Sequence, residues 1–217
     1  MKNILFSLLV TLASLSAYSQ QGFEGEVTYK ISYKNLPEDM AMYKAMLPKK
    51  TKLIIKNEWS KIEQNIAIAK IQMITNSKTK KNIMLMKGMG KKIAVESKDT
   101  SQHSSSQFTI VQLKEVKVIA GYLCNKVVLS DTGENKIILW VTKDLPAYQN
   151  SNLPDMDLGG FPMEFSLEKD EMKMRMTVKK VNRKKIEDSE FQIPEDYEIK
   201  TAEEMGEMMQ GMDFGGK

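Results

Sequence analysis

The chain has 217 residues, with 32 Lys and Arg against 28 Asp and Glu, one His, one Cys and 17 Met. A single cysteine excludes an intramolecular disulfide, and one His with one Cys cannot assemble the usual zinc ligand set within one chain. A net charge of +4, with acids interspersed among the bases, lacks the dense basic footprint of a nucleic-acid binder. It leaves weak attraction to an anionic membrane surface open.

Residues 1–19 read as a cleavable signal peptide. Lys2 supplies the positive start, and the apolar stretch at 4–17 is interrupted by Ser7, Thr11, Ser14 and Ser16. A bilayer span needs about 20 mostly apolar residues, more than this stretch offers. Ala17-Tyr18-Ser19 places small residues where a signal peptidase looks, so cleavage is expected before Gln20. The lone Cys124 lies far from that site, so acylation of a cysteine after cleavage is not expected. The expected product is an exported, periplasmic protein that is not membrane-anchored, with extracellular release left open.

The mature chain divides into an expected single β domain at 20–200 and a Met-rich helix and tail at 201–217. Val27, Tyr29, Ile31 and Tyr33 alternate with polar residues, the period of a half-buried strand. Residues 38–46 are good helix formers, closed by Pro48. Short strands are expected at 51–57, 60–66, 69–75, 82–87 and 92–97, with turn residues between them. Residues 98–106 are small and polar and read as a loop. Strands follow at 107–112, 115–119, 122–130 and 136–142, then a long loop at 144–160, a length typical of functional segments. Strands at 161–168 and 171–182 come next, with a last short one near 186–192. The fold class is mainly β (α+β): a curved antiparallel sheet of about 10–11 strands, with one or two short covering helices.

Methionine is the most unusual part of the composition. Met205, Met208, Met209 and Met212 fall at i, i+3, i+4 and i+7 and share one helix face. Two readings stand: docking of an amphipathic helix on the sheet, or thioether coordination of Cu(I). Met172, Met174 and Met176 alternate along one strand. They either pack the core or line a face that accepts apolar partners, for which methionine is well suited. Trp140 and Phe165 are the expected aromatic members of that lining.

His103 sits among serines, but no Gly-x-Ser-x-Gly elbow occurs to make a nucleophile of any of them. Cys124 alternates with Tyr122 and Lys126 and reads as a small buried hydrophobe. The lysine clusters at 49–52, 78–81 and 179–185 fall at strand ends and turns, where charge protects sheet edges. No catalytic residue and no cofactor is expected.

The string Lys117-Val118-Ile119-Ala120-Gly121-Tyr122-Leu123-Cys124-Asn125-Lys126 resembles the I-x-G-Y-x-C-x-K signature of secreted proteins of Bacteroidota. Trp140-Val141-Thr142-Lys143-Asp144-Leu145-Pro146 is similar to the W-x-T/Y-x-x-(I/L)-P element that follows in those families. Gly160-Phe161-Pro162 is similar to their G-x-P element and departs from the GLPGLI string after the proline. The resemblance therefore favours a domain-of-unknown-function family related to the GLPGLI family. It implies the architecture of the LolA/LolB-like lipoprotein carriers, an unclosed half-barrel with helices over an apolar face. The expected function is non-enzymatic binding or carriage of a lipid, lipoprotein or other apolar ligand. A Met-based Cu(I)-binding protein and an envelope interaction module without a small ligand are the alternatives.

Overall fold

In a computed structural model, residues 22–38, 44–66, 69–98, 109–130, 136–146, 158–169 and 172–210 are described. The expected signal peptide, most of the expected helix at 38–46, His103 with its loop, the middle of the 144–160 loop and Met212 lie outside them. So do the side chains of Met208 and Met209.

Two meanders build the fold. The first runs through β1 (Gly25–Lys34), β2 (Lys50–Lys56), β3 (Trp59–Ile66), β4 (Ala69–Asn76), β5 (Lys81–Gly88) and β6 (Lys91–Lys98). The second runs through β7 (Thr109–Ile119), β8 (Tyr122–Ser130), β9 (Lys136–Thr142), β10 (Phe161–Lys169) and β11 (Met172–Arg183). Antiparallel pairing of β11 with β1 joins them, and β12 (Glu198–Lys200) adds to β6 in parallel. The result is one unclosed sheet of twelve strands, in the order β12-β6-β5-β4-β3-β2-β1-β11-β10-β9-β8-β7.

Three elements differ from expectation. The described parts of the two strands expected at 107–112 and 115–119 are a single strand, Thr109–Ile119, because the β7–β8 register resumes at Val116↔Asn125 after an irregularity. Residues 186–192 are not a strand: Asp188–Phe191 is a 3-10 turn within a segment that straps one face of the sheet. β12 is only three residues long, too short to show a period.

The strap packs Ile186 and Phe191 on Ile54, Ile74, Ile83, Leu85 and Ala94. Phe191 stacks on Trp59 with centroids 5.9 Å apart. Polar ties pin the strap at its start. Lys56 Nζ donates to the Ile186 carbonyl at 2.7 Å, and the Ile186 N–H donates to the Glu24 carboxylate at 2.6 Å. The face of β2–β6 beneath the strap is thereby closed.

The helix α1 (Ala202–Gln210) is opened by a reciprocal cap. The Glu204 N–H donates to Thr201 Oγ1 at 3.1 Å, while the Thr201 N–H donates to Glu204 Oε2 at 2.7 Å. This is the Ser/Thr-x-x-Glu capping box, which satisfies two otherwise orphaned donors. Thr201→Ala is expected to cost about 1 kcal/mol, read as a lowered urea midpoint at unchanged slope. A variant as stable as the parent would show that the cap contributes nothing.

A bulge on β10 sets the core at one end of the sheet. Pro162 pairs with Val141 and Glu164 with Trp140, which leaves Met163 as the extra residue. Beyond it Phe161 pairs with Thr142, and both are fully buried. The buried side of β8 changes phase at the same level. Val127 and Leu129 pack with Leu139 and Leu158, whereas Cys124 packs with Phe161, Phe23, Val27 and Leu53. An inserted residue that re-aims a strand is the usual effect of a bulge.

Candidate functional site

Directly paired strand residues point to the same side of a sheet, so the register identifies each face. One cross-strand row reads Val27, Leu53, Ile62, Met73, Met84, Val95 from β1 to β6. Next to it Ile71 pairs with Met86, and Met86 with Ile93. On the other side of β1, Ile31 pairs with Met176 and Met176 with Phe165; Tyr33 pairs with Met174 and Met174 with Leu167. One apolar face therefore runs across both meanders.

This face is dry at its ends and again on β1 and β2, where Val27, Tyr29, Ile31 and Leu53 are buried, and it is partly open on either side of those two strands. Val127, Leu129 and Leu139 are buried at one end under Leu158. At the other end α1 sets Met205, only 5% exposed, on Ile93 and Val95, with Met84 and Met86 alongside. Between these ends Ile62, Ile71, Met174, Met176, Phe165 and Leu167 are half-buried, and Met73 is 36% exposed. The surface these side chains present is one of thioethers and hydrocarbon.

The expected lining residues divide accordingly. Phe165, Met174 and Met176 are neighbours on this face, and Met172 continues it by alternation. Trp140 lies on the reverse side, paired with Glu164. There Lys117 Nζ sits 4.2 Å from the Trp140 ring centroid and 2.7 Å from Glu164 Oε1. Thr177 Oγ1 donates to Glu164 Oε2 at 2.9 Å, and Arg175 Nε donates to Ser166 Oγ at 3.3 Å. A nearly buried carboxylate with a cation and a hydroxyl on its two oxygens is a satisfied structural network tying β7, β9, β10 and β11.

Met73, Met84 and Met86 were absent from the expected lining. The signal existed in the alternation of Met84 and Met86 along 82–87, but only the register joins them to Met172, Met174 and Met176. Met205 is a core residue of the α1 contact. Cys124 is fully buried, with its Sγ–H on the Tyr122 carbonyl at 3.3 Å, and burial pushes its thiol pKa up. A buried thiol of raised pKa is a poor nucleophile. Among the described residues no group of three or more His, Cys, Asp or Glu stands together as a metal site.

Fold and site define a mainly β protein whose unclosed antiparallel sheet carries one continuous, partly open apolar face. Residues 19–197 match the family described as a domain of unknown function (DUF4412), and the chain belongs to that family. No curated protein matches the chain. Among solved structures it is similar to PNGF-II in two crystal forms, at 15% identity over 87% of this chain, with TM-scores of 0.56 and 0.54. It spans only 33% of the PNGF-II chain, so the likeness is one of fold. LprF from Mycobacterium bovis (12% identity, 73% of this chain and 85% of that one) has a TM-score of 0.36. Lipoprotein LppX of Mycobacterium tuberculosis (11% identity, 81% and 95%) has a TM-score of 0.34.

Proposed function

We propose that the protein is a non-enzymatic binding or carrier protein for a lipid, lipoprotein or other apolar ligand, working in the periplasm after export. The half-open methionine face carries the reading. Flexible, polarisable thioethers conform to varied apolar shapes without demanding one geometry. Each Å² of apolar surface that a ligand covers there is worth about 25 cal/mol before the costs of association. On the reverse side of β2–β6 the strap covers the apolar surface with Ile186 and Phe191, and the carrier-like architecture that the family resemblance implies agrees with this reading.

Organic extraction of the purified protein followed by mass spectrometry tests this directly, alongside titration with a fluorescent fatty acid. Met174→Asp puts an ionised group into the middle of the face and is expected to weaken the probe by about tenfold or more. Lys30→Glu, exposed and on the reverse side of β1, is expected to leave it unchanged. Lipid-free extracts together with no saturable probe binding would remove the proposal.

A further inference from the structure

The β5–β6 hairpin turns through Met89 and Gly90, with φ of 52° and 76°. Positive φ at both central residues is the two-residue turn that suits the twist of paired strands. Asn, Asp or Gly ordinarily fills the first of these positions, and methionine there holds a sparsely populated backbone conformation. The Met89 side chain is 66% exposed. Strain is therefore tolerated to present a large apolar side chain to solvent, an outlier that points to a use.

The ground beside it is basic. A cleft of about 500 Å³ is bounded by Lys70, Lys87, Lys91 and Lys92 together with the backbone of Gly88 and Gly90. Lys70 pairs with Lys87 and Lys87 with Lys92, so three lysines stand in one cross-strand row. Like charges placed opposite one another destabilise a sheet. Only the outer two are neutralised: Lys70 by Glu63 at 3.2 Å, and Lys92 by Asp196. The ammonium groups of Lys87 and Lys91 make no hydrogen bond or ion pair among the described residues, and both residues are exposed.

We infer that this end of the sheet docks on an anionic lipid bilayer, with the lysines at the level of the lipid phosphates and Met89 entering the acyl boundary. Lysine suits that place because its stem lies along apolar surface while its ammonium stays with the phosphates. The exposed Met89, in the turn between Lys87 and Lys91, argues for a bilayer over a soluble phosphate, which has no apolar layer to offer it. The hairpin also adjoins the proposed ligand face, since Met86 is three residues from Met89 and pairs with Ile71. The inference stands on different residues from the ligand reading, and either can fail alone.

Co-sedimentation of the full chain with vesicles tests it. Vesicles of phosphatidylcholine and phosphatidylglycerol at about 3:1 should bind the protein, and vesicles of phosphatidylcholine alone should not. Binding should fall as salt is raised toward 0.5 M, where the screening length is roughly half its physiological value. Lys87→Gln with Lys91→Gln should weaken partition by about thirtyfold, a factor of about five per lysine. Lys78→Gln with Lys143→Gln removes the same charge from the opposite end of the sheet and should change partition by less than about threefold. In Met89→Trp, the emission added by the new indole should shift to the blue with the anionic vesicles. Three outcomes overturn the inference: equal losses for the two lysine pairs, no blue shift of that added emission, or binding of inorganic phosphate or an acidic protein without binding of vesicles.

Discussion

Phe161→Ala is expected to lower the unfolding free energy by about 3–5 kcal/mol. Phe161 is fully buried at the point where the β10 bulge turns the strand. Its ring meets Phe23 at 6.4 Å between centroids and packs in the cluster that holds Val27, Leu53, Ile119 and Cys124. These residues come from β1, β2, β7 and β8, so this side chain joins strands from both meanders. The backbone cannot settle into the cavity that alanine would leave. A Cβ at the preceding Gly160 would lie 2.3 Å from the Thr142 carbonyl oxygen, showing how closely the two chains already approach. Urea unfolding followed by tryptophan emission measures the loss. Val118→Ala, 67% exposed on the edge strand, provides the contrast and should move stability by less than about 0.5 kcal/mol. A Phe161→Ala loss below about 1 kcal/mol would mean that the two meanders are not joined through this core.

Where one face of a strand was wet and the other dry, its position and orientation were legible from the chain. β1 alternates cleanly, as does β11 over its first five residues, and Met174 and Met176 lie on the side that the alternation assigns to them. β9 shows why alternation assigns Trp140 to neither side. Its sequence Lys-Ile-Ile-Leu-Trp-Val-Thr is almost continuously apolar, because it is buried on both sides near the bulge. Period two then has no contrast to work with, and only the pairing of Trp140 with Glu164 settles its side. The strap failed for a different reason. Ile186 and Phe191 look like strand residues by composition, but each is an isolated anchor in an extended segment that lies across the sheet. Lys61 was invisible as a core residue; it is 5% exposed and held by Glu63 and Glu190, an arrangement no local pattern announces.

That charged row supplies the second large effect. Glu63 accepts from Gln72 Nε2 at 2.6 Å and faces Lys52 at 3.0 Å, Lys70 at 3.2 Å and Lys61 at 3.6 Å. Burial by itself would raise its pKa. The hydrogen bond from Lys52 and the charges of Lys52, Lys70 and Lys61 outweigh burial and bring it down to about 2. A carboxyl group whose folded pKa lies below its ordinary 4.5 stabilises the fold fully above that pH. The contribution shrinks as pH falls from 4.5 and is gone once pH passes below about 2. Allowing for solvent screening of a partly exposed cluster, it is worth about 2 kcal/mol. Glu63→Gln keeps the shape and removes the charge, so it should lose about 2 kcal/mol at neutral pH. Stability measured in urea across a pH series should show the gap between variant and parent closing as pH is lowered through this window. A gap that stays constant with pH would assign the loss to the Gln72 hydrogen bond and packing. Lys61, the most deeply buried of the three cations, would then be held by Glu190 rather than by Glu63.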